Sequence, residues 1–364
     1  MLMDSAALGW KRGGPIGDDG LTLGRVAVEH KDRWLIYCES GEIVGEISGK
    51  LRRLAERREG KRDDDDPDWP AVGDWVRLDV IAGSDRGVIR AILPRDSAIR
   101  RKQAGRSSMA QTLAANVDRA FLLNGLDADF NPRRLDRYLS LAHGAKVDPV
   151  VVLTKADLFA PEDVDRALAA VAARAPGVAC HAISSWTGMG VDELERYCDG
   201  HRTIVLLGSS GAGKSTLINR LLGRDAQRTQ TLSEIGRGRH TTTHRELLML
   251  SRPEGGLVID TPGLRELALF DDEGLEAAFS DIDSRAAECR FHDCRHESEP
   301  GCAVRDAIER GLLDPDRLLS WRKLERETQR QEMEADARAR AKRNREWKVI
   351  HKAQKQFHKN HRKY

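Results

Sequence analysis

No apolar run in this chain approaches the roughly 20 residues that a helix needs to cross a bilayer, so no helical membrane span is expected. The start, Met1-Leu2-Met3-Asp4-Ser5, lacks a basic stretch followed by an apolar one, and no signal peptide is expected. Cysteine is scarce: six in 364 residues, three of them bunched near the C-terminus, which excludes a secreted disulfide framework. An excess of either charge is also missing. With 60 basic against 58 acidic residues the net charge is only +2, so the positions of the charges matter more than their sum. What is present is 40% apolar content, enough for the cores of two or three domains in a soluble, cytosolic protein.

The most informative stretch is Gly208-Ser209-Ser210-Gly211-Ala212-Gly213-Lys214-Ser215-Thr216, which reads G-x-x-x-x-G-K-S, the phosphate-binding loop of nucleoside-triphosphate proteins. Thr203–Leu207 before it reads as a buried strand, and Leu217–Leu222 after it as the first turns of a helix. Glycines let backbone N–H groups approach phosphate oxygens, and the helix N-terminus adds positive potential there. Lys214 is expected to reach the β- and γ-phosphates and Ser215 to ligate Mg2+.

Asp260-Thr261-Pro262-Gly263 closes a second apolar strand. Asp260 there is expected to hold Mg2+, and the Gly263 N–H to sense the γ-phosphate. Between the two lies Gly236-Arg237-Gly238-Arg239-His240-Thr241-Thr242-Thr243, a segment able to bring a threonine hydroxyl to Mg2+; Thr242 is favoured, with Thr241 second. Thr154-Lys155-Ala156-Asp157 ends the strand Val150–Leu153. The Asp157 carboxylate suits the ring N–H and exocyclic amine of guanine and rejects adenine, with the Lys155 stem along the base. Ser184-Ser185, after another strand, suits a backbone N–H contact to the guanine carbonyl. These base-reading segments precede the phosphate loop, the reverse of ordinary guanine-nucleotide switches. Because termini lie at the surface and often close together, such a sheet can be rewired, and a circularly permuted GTPase domain is expected. Leu264 stands where many such proteins carry a water-orienting glutamine. Leucine cannot do this, so slow intrinsic hydrolysis completed by a partner is expected.

Taken in order, residues 1–24 are expected to be flexible. Five short strands, Arg25–Glu29, Trp34–Cys38, Ile43–Ser48, Asp74–Val80 and Gly87–Ile92, predict a small barrel. An oligonucleotide-binding (OB) fold is favoured over a purely structural barrel. The charged run from Arg52 to Pro67 reads as a solvated loop, and the basic stretch 95–115 as a linker. Strands and helices then alternate to Phe270, with strands at Ala120–Asn124, Pro149–Leu153, Cys180–Ile183, Thr203–Leu207, Arg245–Leu250 and Leu257–Ile259. Helices are read at Pro132–His143, Pro161–Ala173, Val191–Cys198 and Ser215–Leu222, giving a mostly parallel α/β sheet. The resulting division is 1–24, 25–115, 116–270, 271–330 and 331–364.

Cys289, Cys294, His296 and Cys302, spaced C-x4-C-x-H-x5-C, make a closed set for one structural Zn2+, with His292 as a competing imidazole. The helical segment around them is too small for a large core of its own, which is where a metal helps. From Arg338 to Tyr364 there are eleven Lys or Arg against one acid, Glu346, interleaved with Trp347, Phe357 and Tyr364 and without an apolar face. That favours nucleic acid over a membrane.

A barrel containing Val72-Gly73-Asp74-Trp75-Val76, a permuted GTPase and a C-x4-C-x-H-x5-C finger together resemble the RsgA family of circularly permuted GTPases. The resemblance spans roughly residues 25–320 and rests on 154–157, 208–216, 238–243, 260–263 and the four Cys/His positions. Departures are Thr154, where family members usually carry asparagine, and the long basic tail. The resemblance implies GTP hydrolysis to GDP with Mg2+, stimulation by the small (30S) ribosomal subunit in its late maturation, and barrel and finger flanking the GTPase on 16S rRNA. A monomer is expected, with no membrane partner. Two other readings stand beside it: an RNA-binding assembly factor with nucleotide as a structural ligand, and an ATP-dependent kinase, against which Asp157 argues.

Overall fold

A computed structural model of the chain describes residues 4–12, 20–58, 69–102, 110–127, 130–223, 245–251, 255–260, 272–330 and 333. Five of its strands close a barrel: β1 (Thr22–His30), β2 (Arg33–Cys38), β3 (Gly41–Ile47), β4 (Trp75–Val80) and β5 (Arg86–Ile92). They pair in the order β1-β2-β3-β5-β4, and β4 returns to β1; β3–β5 is parallel and the other pairs antiparallel. Alternation along the strands turns Val26, Ile36, Ile43, Val76, Leu78 and Ile89 into the barrel core.

Three expectations around the barrel are corrected. Residues 52–58 are not a loop but most of helix α1 (Gly49–Arg58), because Leu51 and Ala55, four apart, are both buried. The 95–115 stretch contains a hairpin, β6 (Ala98–Lys102) and β7 (Ala110–Ala115), that buries Ile99, Leu113 and Ala114. Arg95, one of the basic residues that suggested a linker, forks onto the buried Asp74 carboxylate at 2.8 and 2.7 Å. Within the N-terminal stretch Leu8 is buried and Trp10 meets Trp75 edge-on at 4.9 Å, while the Arg25 guanidinium donates to the Leu8 carbonyl. Residues 4–12 are thus packed, not loose. The charged run at 59–67 and the tail at 338–364 lie outside the described residues.

The barrel is fused to a second set of strands. These are β8 (Arg119–Gly125), β9 (Asp148–Thr154), β10 (Ala179–Ala182), β11 (Thr203–Gly208), β12 (Glu246–Met249) and β13 (Leu257–Asp260). Their order is β10-β9-β8-β11-β13-β12, parallel throughout except for β12, and β12 pairs antiparallel with β1 of the barrel at Val28 and Glu246. Runs such as Val150-Val151-Val152-Leu153 and Ile204-Val205-Leu206-Leu207 are buried because helices cover both faces. On one face Leu122, Val151, Leu153, Val205 and Leu207 pack with α2 (Pro132–Gly144) and α3 (Pro161–Arg174). On the other, Phe121, Leu123, Val152, Ile204 and Leu206 meet α4 (Val191–Glu195) and α5 (Lys214–Leu221). α2 starts where its sequence says it should: Asn131 Oδ1 accepts from the Arg133 and Arg134 amides at 3.1 and 3.3 Å, with Pro132 in the first turn.

The C-terminal elements are α6 (Asp272–Ala278), α7 (Ser280–Ala286), α8 (Ala303–Glu309) and α9 over 315–330; α7 was not expected from the sequence. α6 crosses α2 so closely that a Cβ at Gly274 would lie 2.3 Å from the Ser140 carbonyl oxygen. Beside this crossing, buried Asp136 of α2 accepts two bonds from Arg174 of α3 at 2.8 and 2.6 Å and one from Arg317 of α9 at 2.6 Å. Arg317 continues to Asp281 of α7 and lies 4.2 Å over the Phe279 ring. Among the described residues no helix is long and apolar enough to cross a membrane.

Candidate nucleotide site and metal centre

The chain turns sharply after β11. Gly211 and Gly213 have φ of 86° and 90°, a region closed to most side chains, and nothing lies within 4 Å of where a Gly211 Cβ would be. The loop Gly208–Gly213 therefore opens outward and runs straight into α5, whose first residues are Lys214, Ser215 and Thr216. Its amides and the start of α5 give the concavity that suits a phosphate chain. Lys214 Nζ arches back over the loop to the carbonyls of Gly208 and Ser209 at 2.7 and 2.6 Å. Ser215 is exposed on the first turn. Asp260, the last residue of β13, is half-buried; burial pushes its carboxyl up, and the Lys214 charge pulls it back down. Lys214 and Asp260 thus lie beyond the carboxyl ends of the adjacent parallel strands β11 and β13, where ligands bind in such sheets.

The segment after β9 is sewn onto that loop. Thr154 Oγ1 donates to the Ala212 carbonyl at 2.9 Å, and its side chain lies 3.7 Å from the Gly213 Cβ position. Lys155 takes a left-handed conformation, φ 64°, and pairs through Nζ with Asp127. Asp157 is exposed on the single-turn helix Ala156–Leu158. The Ala156 amide donates to the Ile183 carbonyl at 3.0 Å, which brings in the loop after β10. In that loop buried Ser184 holds a tight turn, its amide bonding the Met189 carbonyl at 2.9 Å and its Oγ accepting from the Thr187 amide at 3.1 Å. The Ser185 side-chain oxygen is buried and lacks a protein partner.

Segments 154–157, 184–185 and 208–216, with Asp260, thus converge on one edge of the sheet. Thr241, Thr242, Gly263 and Leu264 lie outside the described residues. Sequence reasoning missed Asp127, which holds Lys155; an acid just past the end of the neighbouring strand β8 was the available signal.

The second site lies between α7 and α8. The ligand atoms of Cys289, Cys294, His296 and Cys302 all lie within 4.8 Å of one another. His296 Nδ1 is 3.4 Å from Cys302 Sγ and 3.6 Å from Cys289 Sγ, and those two sulfurs are 3.9 Å apart. Such spacings fit donors arranged tetrahedrally about one ion at about 2.0–2.3 Å. His296, buried and at φ 59°, has its imidazole pKa lowered, first by burial and then by Arg322, which favours the neutral ligating form. Its competitor His292 is exposed and outside the cluster. The loop is kept in shape by Glu299, whose carboxylate is held down at about 2 by its own amide and those of Arg295, Glu297 and Ser298. From α9, Arg322 donates to the His296 carbonyl at 2.6 Å.

A family profile described as RsgA GTPase matches residues 92–270. The small ribosomal subunit biogenesis GTPase RsgA of Opitutus terrae is 43% identical over 353 residues, 94% of this chain and 93% of that one. The chain belongs to the RsgA family of GTPases. Another RsgA, from Xanthomonas oryzae pv. oryzae, is 48% identical over 260 residues, 71% of this chain and 69% of that one. Among solved structures, YjeQ from Thermotoga maritima matches with a TM-score of 0.62 at 26% identity, covering 85% of this chain and 98% of its own. YloQ, described as a circularly permuted GTPase, matches in fold with a TM-score of 0.60 at 24% identity over 87% of this chain and 98% of its own. This chain thus has a YjeQ-like fold, with an N-terminal β-barrel, a permuted GTPase sheet and a Cys/His cluster able to hold a metal ion.

Proposed function

We propose that this GTPase binds the small ribosomal subunit in late maturation and hydrolyses GTP to GDP and phosphate there, with hydrolysis coupled to release. The observation that carries the nucleotide reading is the Thr154–Ala212 bond, which ties the base-reading segment to the phosphate loop although the two are 58 residues apart. Asp157 accepts from guanine, Lys155 lies along the base, and Ser184 and Ser185 frame the guanine carbonyl. The amides of Gly208 to Gly213 and Thr216 cradle the phosphates. Lys214 leaves the Gly208 and Ser209 carbonyls for the β- and γ-oxygens, which offer it a full negative charge. Ser215 and Asp260 would hold Mg2+, which would supply charge neutralisation for the phosphates; the further roles proposed are for Thr242 on Mg2+ and the Gly263 amide at the γ-phosphate. Leu264 cannot orient water, so the subunit supplies what is missing.

The four-residue cluster holds a structural Zn2+, since all four donors are protein side chains and none is left for substrate. The barrel's strand pairings, with β3 beside β5, suit an OB fold laid on 16S rRNA, and the basic tail adds phosphate contacts. The domains divide as 25–115, 116–270, 271–330 and 331–364, and the protein acts as a monomer in the cytoplasm, where its partner is. The experiment is GTP turnover with isolated small subunits, with large subunits and with neither. Stimulation by small subunits alone, lost on Lys214→Ala, is expected; equal rates in all three would refute the reading.

A further inference from the structure

The loop that frames the proposed base site also presents an indole to solvent. Trp186 is 83% exposed, the most exposed large apolar side chain among the described residues. It is not on a loose loop. The Ser184 amide bonds the Met189 carbonyl at 2.9 Å, the Gly188 amide bonds the Ser184 carbonyl at 2.8 Å, and α4 follows directly. Leu158, 68% exposed, stands on the neighbouring turn, which is bonded to this loop through Ala156 and Ile183, and Met189 is 49% exposed. A rigid loop that holds a tryptophan out of the core has the character of an interface anchor, fixed before binding and therefore cheap in entropy to use.

The charges around it choose the partner. The turn carrying Leu158 leads into the first turn of α3 with Glu162 exposed, and the loop carrying Trp186 leads into the first turn of α4 with Asp192 and Glu193 exposed. Over residues 157–166 there are four acids and one arginine, and over 186–196 three acids and one arginine. Arg220 reaches the Thr187 carbonyl of the same loop at 3.5 Å, and Arg166 and Arg196 pair with Asp163 and Glu193, but acids still outnumber bases on both turns, so the rim favours a basic polypeptide over a phosphate backbone. We infer that Trp186 and Leu158 form a docking surface for a lysine- or arginine-rich segment of a protein component of the small subunit, inserting an apolar side chain between its charges. This rests on the ribosomal reading above. It places a protein contact beside the base-binding loop of a chain whose barrel and tail face RNA, so one partner touches the nucleotide pocket through Ser184 and Ser185.

The test is the small-subunit concentration giving half-maximal GTP turnover, measured for the full chain, Trp186→Ala, Trp186→Phe and Asp192→Lys. Trp186→Ala should raise it about tenfold, Trp186→Phe much less, and Asp192→Lys about threefold, each with unchanged turnover in the absence of subunits. The sign of the lysine effect separates the partner classes: tighter binding by Asp192→Lys would mean RNA and overturn the proposal. Substituting Trp186 with a photoreactive phenylalanine analogue should crosslink to a ribosomal protein at a basic peptide. Crosslinks to rRNA or to a second copy of the chain, or none, would overturn it. Stimulation that ignores all these substitutions would defeat the docking surface alone, whereas no stimulation of the unaltered chain would defeat the ribosomal reading and the docking surface with it.

Discussion

Arg317 of α9 donates to Asp136 of α2 at 2.6 Å, and both side chains are shut off from water. Asp136 also carries Arg174, so one carboxylate joins the GTPase sheet's helices to the C-terminal elements. Removing the acid would leave two buried guanidinium groups with only Asp281, on Arg317, and the more exposed Asp314, on Arg174, as counter-charges. Asp136→Asn should therefore cost about 3 kcal/mol of stability, read as a lower urea midpoint. The exposed Arg133–Asp316 pair nearby should contribute far less, and Asp316→Asn should leave the midpoint almost unchanged.

The Thr154 hydroxyl spends its hydrogen on the Ala212 carbonyl. Thr154→Val keeps the shape and deletes the bond, stranding a buried acceptor at about 1 kcal/mol or more. The KM for GTP should rise about fivefold while Thr154→Ser stays near the parent. Equal KM values for valine and serine would show that the bond does not shape the pocket.

Metal content is directly measurable. One zinc per chain should be found by elemental analysis, and Cys302→Ser should lower it. Chelation should lower the melting temperature of the C-terminal elements more than it lowers nucleotide affinity, because the cluster lies between α7 and α8.

Asp283 on α7 gives a pH dependence. Burial and the charges of Glu276, Asp281 and Glu325 raise its carboxyl to about 6. A carboxyl raised by folding favours the fold most when protonated, and that contribution is lost as pH rises from the unfolded value of 3.8 through about 6. Asp283→Asn should stabilise the protein at pH 8 by about 1 kcal/mol, a figure reduced for the group's partial exposure. The gain should shrink towards pH 5, as urea titrations at both pH values would show.

Much of the site could be read from the chain because phosphate and base recognition depend on short contiguous segments. Lys214 opens α5, Asp260 ends β13, Asp157 lies on the turn after β9, and the four Cys/His side chains gather in one cluster. What escaped were contacts between distant segments. Leu8 and Trp10 looked like residues of a loose terminus because their partners, Arg25 and Trp75, are reached only in three dimensions. α1 and the β6–β7 hairpin were hidden by their arginines, since two or three buried apolar residues were enough to set each element. Asp136, Arg174 and Arg317 gave no local sign of their joint, being scattered over about half the chain.

The pairing of Val28 with Glu246 makes the barrel wall and the nucleotide sheet one fabric. Neither half can be excised cleanly. A fragment lacking the first hundred or so residues would strip β12 of its β1 partner at Glu246, leaving that end of a short edge strand open to other strands. Truncations meant to isolate the enzyme should therefore be sticky and poorly behaved for reasons unrelated to ribosomes.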